Sequence, residues 1–264
     1  MGEERRLIIP ALLTEVTRAC TFVEEAAQSA GLDERGVYHC QLAVDEWCTN
    51  VVEHGYGGQG DHASVIEVDC HADSDRLMIT IIDNCPPFDP TTLSDPKTNQ
   101  PVEDIKPGGL GWFLVKKIMD SVAYEYSDHH NRLSMIKLIQ PGTYTLRAHQ
   151  MTYPVHELRG HLWVVVPNGR LDSNTSSTLE ATLRSQEEAG HHQIIIDMSD
   201  VTYLSSSGLK VMLSAHKRAH AKGGRLAIAG LKARVLEVFS ISGFDALFTI
   251  TETVQDAATI LTRT

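Results

Sequence analysis

The sequence predicts an α/β protein in two domains. An N-terminal α/β sandwich with a mixed or antiparallel sheet is expected over residues 1–140, a linker over 141–152, and a second α/β sandwich over 153–264. Three observations predict this. The 264 residues exceed one ordinary domain of roughly 100–200 residues. The formal net charge of −11 falls entirely on residues 1–150, and the remainder is neutral. All five cysteines (Cys20, Cys40, Cys48, Cys70 and Cys85) also lie in the first part. Two independent properties that change together mark a boundary between domains.

The elements follow from periodicity. Residues 14–30 repeat apolar side chains at helical spacing (Val16, Cys20, Val23, Ala27) and stop at Gly31. Asp33 opens a second helix through about His54, ended by Gly55-Tyr56-Gly57-Gly58. Residues 65–70 and 77–82 alternate or run apolar, as strands do. Residues 84–108 lack periodicity and carry six prolines, which suits a functional loop or lid. A helix is expected over 109–120, then strands over 122–126 and 133–139. The second half alternates strand and helix: strands at 162–166, 194–196 and 226–229, and helices at 175–189, 209–221, 233–240 and 254–261. Such alternation argues an α/β sandwich.

Composition excludes several classes. The acidic balance argues against nucleic-acid binding by phosphate neutralisation. No apolar run approaches the ~18 residues of a membrane span. The early stretch Leu7–Leu13 contains Pro10, follows acids and has no small-residue cleavage site, so no secretory signal is expected. The cysteines match no zinc spacing and contain no CxxC, so they read as buried thiols of a cytoplasmic protein. His216 and His220 share a helix face without a third metal ligand in view.

Three local patterns carry chemistry. Glu46 and Asn50 are four apart in Val44-Asp45-Glu46-Trp47-Cys48-Thr49-Asn50 and share a helix face that His54 continues. A carboxylate there can take a proton from a hydroxyl, and an amide oxygen can hold Mg²⁺. A solvated Glu/Asn face is the plain alternative. Asp83 follows the buried strand Ile79-Thr80-Ile81-Ile82 and can accept a hydrogen bond from an exocyclic amine, or serve as a turn residue. Gly108, Gly109 and Gly111 lead into a helix whose free amides favour anions, or form a hinge.

Taken together and in this order, these patterns resemble the N, G1 and G2 boxes of the GHKL ATPase superfamily, in its branch of bacterial anti-sigma-factor serine kinases. Val44–Tyr56, Pro86-Pro87-Phe88-Asp89-Pro90 and Gly109-Leu110-Gly111-Trp112-Phe113-Leu114 carry the resemblance, which covers about residues 5–140. It implies ATP and Mg²⁺ as cofactors, Glu46 as general base, Asn50 as Mg²⁺ ligand and Asp83 as adenine reader. Gly108, Gly109 and Gly111 would line the phosphates under a lid. Cys85 stands where the family has glycine, and is expected to narrow the adenine pocket.

In the second half, Ile194–Ile196 lead through Asp197–Leu204 to Ser205-Ser206-Ser207-Gly208-Leu209 at a helix start. Serines there cap helices. A phosphate there would be held by the dipole and free amides, and would add charge to an exposed, neutral surface. Gly169-Arg170-Leu171-Asp172 and Val201–Leu209 resemble the STAS domain of anti-sigma-factor antagonists over about 155–262. That resemblance implies Ser206 as phosphoacceptor; Ser205 stands where the family has Asp, and Asp172 is the other nearby acid.

The combined expectation is a cytoplasmic serine/threonine-protein kinase of the anti-sigma-factor type fused to its substrate-like domain. Its expected partners are a sigma factor or sigma-like protein, STAS-domain proteins and a serine phosphatase, without nucleic acid or membrane, in a homodimer. A non-catalytic scaffold that docks sigma-like or STAS partners is the alternative, and ATP hydrolysis without protein phosphorylation a third.

Overall fold

A computed structural model describes residues 3–57, 63–94, 109–139, 153–158 and 162–262, which fall into two compact units. The expected linker 141–152 and Gly108 lie outside the described residues.

The first unit runs β1 (Glu3–Pro10), α1 (Leu13–Ser29), α2 (Glu34–Asn50), a π-helical turn (Val51–Gly55), β2 (Val65–Ala72), β3 (Arg76–Asp83), α3 (Leu110–Ile118), β4 (Ser121–Ser127) and β5 (His130–Leu138). The strands form one sheet in the order β1-β2-β3-β5-β4, and every pairing is antiparallel. The alternation does what period two requires. Ile66, Val68 and Cys70, Leu77, Ile79 and Ile81, and Leu133 and Met135 are all buried. Helix α1 buries the stripe Val16, Ala19, Cys20, Val23, Ala26 and Ala27. Asp33 caps α2 by accepting a hydrogen bond from the Gly36 amide at 2.7 Å, worth about 1 kcal/mol. Every residue of α2 from Gly36 to Thr49 is buried, which makes it the central helix of the unit.

Two expectations change here. Strand β1 is not among the elements that the periodicity predicts. It pairs with β2, Ile9 opposite Ile66. The helix expected from Asp33 to His54 is α-helical only to Asn50 and continues as a π turn.

The second unit runs β6 (Val155–Leu158), β7 (Leu162–Val165), β8 (Asn168–Leu171), α4 (Ser176–Glu188), β9 (Gln193–Asp197), β10 (Asp200–Leu204), α5 (Ser206–Ala221), β11 (Arg225–Ala229), α6 (Ala233–Ser242), β12 (Thr249–Thr251) and α7 (Val254–Thr262). Its main sheet has the order β12-β11-β9-β7-β6, parallel except for the antiparallel β6–β7 pair. Ala257 and Leu261 of α7 pack on Leu162, Val164, Ile195, Ala227 and Ala229. Helices α4 and α5 are joined by Arg218, which donates to Glu187 at 2.7 Å and to Glu180 at 3.0 Å.

Strands β8 and β10 form a separate parallel pair. Neither is among the predicted elements, because Gly169 and the mostly polar stretch Ser199–Thr202, with Val201 its one apolar residue, read as turns. Helix α5 begins at Ser206, three residues before the first apolar residue that predicted it.

Candidate active site

In the first unit the site is built on α2 and its π-helical extension. Glu46 is buried, 5% exposed, and Asn50, one turn later, is half-buried as the last residue of α2. The Tyr56 amide donates to the Val51 carbonyl at 3.0 Å, a five-residue span that widens the turn. Such turns recur at functional sites. His54, on the π-helical turn, is exposed, so the expected three-residue stripe is buried or half-buried only as far as Asn50.

Asp83 is the last residue of β3 and 3% exposed. Its Oδ1 accepts from the Cys85 amide at 2.9 Å and from Asn131 Nδ2 at 2.7 Å. No hydrogen bond from the described residues reaches Oδ2. Asn131 Nδ2 also donates to the Cys85 carbonyl at 3.0 Å. Its Oδ1 accepts from Tyr124 Oη at 2.6 Å and from the Phe88 amide at 3.4 Å.

Cys85 is buried beside this network, and a Cβ built on Gly55 would lie 2.4 Å from its Sγ. The glycine missing at position 85 is thus matched by one at 55, on the π turn. Burial and the neighbouring Asp83 carboxylate push the Cys85 thiol up to about 12, so it is protonated at neutral pH. All five cysteines are buried and free, as expected.

Gly109 takes φ +79° at the N-cap of α3 with no side-chain cap, a conformation that suits glycine. Gly111 is buried in the first turn. Amides at a helix start of this kind suit an anion. Trp112 is buried and meets Trp47 edge to face, ring centroids 5.7 Å apart, so both tryptophans fix α3 on α2 as core residues. Glu46 and Asn50 on α2, Asp83 at the end of β3 and Gly109–Gly111 at the start of α3 thus belong to one compact unit. The Asp83 carboxylate and the glycine-led start of α3 suit an aminopurine nucleotide: an acceptor for an exocyclic amine and donors for phosphate.

Sequence reasoning missed Asn131, Tyr124 and the Gly55–Cys85 contact. Asn131 had one readable signal: a polar residue opening an apolar strand.

In the second unit, the pairing of Leu204 with Leu171 carries Ser205 and Asp172 out of neighbouring strands together. The Ser205 amide donates to the Leu171 carbonyl at 2.9 Å. Asp172 is buried and accepts from Arg170 Nε at 3.0 Å, from the Asn174 amide at 3.1 Å and from Thr175 Oγ1 at 3.2 Å. The Arg170 guanidinium lies over the Tyr203 ring at 3.5 Å.

The expectation of an exposed serine surface is corrected here. Ser205 and Ser206 are each 2% exposed, because α5 starts directly from a buried strand and its first turn rests on β8. A Cβ on Gly208 would lie 2.6 Å from Leu204 Cδ1 and 3.1 Å from the Leu171 carbonyl oxygen. Ser205 is the N-cap yet makes no capping bond, and its buried Oγ has no hydrogen-bond partner among the described residues.

No helix among the described residues is long and apolar enough to cross a membrane, and no metal-binding cluster of three His, Cys, Asp or Glu occurs among them.

Comparison with known proteins divides the chain where the architecture does. Residues 9–137 match the histidine kinase-like ATPase domain and residues 153–257 the STAS domain. The serine-protein kinase RsbW of Halalkalibacterium halodurans is 30% identical over 142 residues, 52% of this chain and 85% of that protein. BtrV of Bordetella bronchiseptica, named as an anti-sigma factor antagonist, is 36% identical over 90 residues, 34% of this chain and 78% of BtrV. The serine/threonine-protein kinase BtrW of the same bacterium is 26% identical over 122 residues, 46% of this chain and 84% of BtrW. What are two proteins in Bordetella are joined here: the chain belongs to the family of RsbW-type serine-protein kinases through its first unit and to the STAS family of anti-sigma-factor antagonists through its second.

Proposed function

We propose that the chain is an ATP-dependent serine kinase and partner-switching regulator of transcription, cytoplasmic, whose phosphoacceptor is Ser206 of its own STAS domain. Kinase domain 1–140, linker 141–152 and STAS domain 153–264 are the proposed boundaries. Asn50 would hold Mg²⁺, Asp83 the adenine amine, and Gly108, Gly109 and Gly111 the phosphates. Bound Mg·ATP supplies the phosphoryl group. Glu46 accepts the serine proton, and the rest of the site positions and neutralises charge. A sigma-like protein and other STAS domains are the proposed partners, a serine phosphatase resets the switch, and the kinase units pair as a homodimer.

One observation carries the reading. A buried carboxylate one turn from a half-buried carboxamide lies in the same unit as a second buried carboxylate with an open oxygen. A solvated Glu/Asn face would show neither burial nor that second acid.

The scaffold reading has one observation in its favour, the Cys85 side chain pressed against Gly55. Intact-mass and peptide mass spectrometry after incubation with Mg·ATP separates the two. One phosphate on Ser206, absent from Glu46→Ala and Ser206→Ala, is expected. Calorimetry that detects no ATP binding, together with no added phosphate, would establish the scaffold. Phosphate release without protein labelling would instead mean simple hydrolysis.

A further inference from the structure

We infer that Asn131 is the positioning residue that sets base specificity at this site: it holds Asp83 so that a single oxygen, Oδ2, faces the base. The inference rests on the reading of Asp83 as the base-recognising acid.

A carboxylate offers two oxygens, and a loose one rotates to meet whatever donor arrives. Asp83 cannot. Its Oδ1 is held by two donors, the Cys85 amide at 2.9 Å and Asn131 Nδ2 at 2.7 Å. Asn131 is itself fixed from the other end, because its Oδ1 accepts from Tyr124 Oη at 2.6 Å. Only the carboxamide in this orientation satisfies both neighbours: a donor toward the acid and an acceptor toward the phenol. Tyr124 Oη in turn accepts from the Phe88 amide at 3.1 Å, and Asn131 Nδ2 ties down the Cys85 carbonyl. One side chain from β5 thus joins the end of β3, the turn after it and the edge strand β4.

The chemical result is a carboxylate held in one orientation as an acceptor, with the protonated Cys85 thiol beside it turned toward that same carboxylate. Such a site takes a 6-amino purine and rejects a 6-oxo purine, whose oxygen would face a carboxylate oxygen. A site built around a buried polar group discriminates strongly against a ligand that leaves it unpaired.

The test is titration calorimetry of the full chain with Mg·ATP and Mg·ITP, which differ in the 6-substituent and in the N1 proton, with thermal melting as the control for folding. The wild type is expected to favour ATP by about a hundredfold. Asn131→Leu, of similar size but without polar atoms, should cut the ATP:ITP ratio about tenfold, mostly by weakening ATP. Tyr124→Phe removes only the outer anchor and should cut the ratio about twofold to threefold. An unchanged ratio in a folded Asn131→Leu overturns the inference; if that variant does not fold, an unchanged ratio in Tyr124→Phe does so. Asp83→Asn keeps the two failures apart. If it loses ATP while Asn131→Leu keeps the ratio, the reading of Asp83 stands and the role of Asn131 falls. If wild type binds no ATP, or Asp83→Asn binds it as well as wild type, the reading of Asp83 falls and takes this inference with it.

Discussion

The two halves of the chain treat their reactive groups in opposite ways. In the first unit, one buried acid is held on one side only: Asp83 gives Oδ1 to two donors and keeps Oδ2 clear of hydrogen bonds from the described residues. In the second, the serines are closed over: Ser205 and Ser206 sit where a strand turns directly into a helix, and the Ser205 hydroxyl meets no partner among the described residues. Burial therefore does two jobs in one polypeptide. Around the proposed base-binding acid it organises an acceptor, and around a proposed acceptor serine it withholds one. Both sites are backed by a glycine pressed against its neighbour, Gly55 on Cys85 and Gly208 on Leu204 and Leu171.

That pair of glycines gives the sharpest ways to break the comparison. Gly208→Ala should have the larger effect. The new methyl meets a backbone carbonyl that cannot turn away, and the expected loss is about 1–3 kcal/mol in chemical denaturation of the second unit. Gly55→Ala meets mainly a sulfur, whose side chain can give, so the loss should lie near 1 kcal/mol. Combined with Cys85→Gly, most of that loss should vanish, and a double-mutant cycle should return a coupling of about 1 kcal/mol. Additive effects would mean that the two residues do not share the space. Cys85→Gly alone should tighten ATP binding if the thiol narrows the base pocket, which calorimetry would detect.

The smallest effect concerns the thiols. All five are buried, and burial drives Cys85 and Cys70 up to about 12 and raises Cys40 and Cys48 further. At pH 7–8 the native chain should show almost no reaction with a thiol-specific reagent, and five equivalents after denaturation. Fast labelling of Cys85 in the native state would mean that the site is more open than described.

Much of this was legible in the sequence, for physical reasons. Amphipathic helices with long apolar stripes, such as α1, and alternating strands, such as β2 and β3, declare themselves because one face must be buried. Glu46, Asn50, Asp83 and Gly109 stand out as candidates because their order along the chain resembles a known family. Short strands were not. Strands β8 and β10 are held by pairing with each other rather than by an apolar run, and Gly169 and Thr202 disguise them. The π turn was invisible because its residues suit an α-helix equally well. Asn131 escaped because its role depends on a cross-strand register, Asp83 opposite Asn131, that no local pattern announces. The burial of Ser206 escaped because helix-start serines usually face water; here β8 covers them.

The sealed start of α5 has a kinetic consequence. A hydroxyl that is enclosed in the resting fold reacts only in molecules whose first helical turn has come loose. Any enzyme acting there works on a minority population, and its apparent affinity is lowered by the fraction open. The turn then behaves as a latch with its own equilibrium, separate from the catalytic power of the kinase. A sequence change or a bound protein that loosens it would speed modification without touching the enzyme, and one that tightens it would hold the switch in its unmodified state.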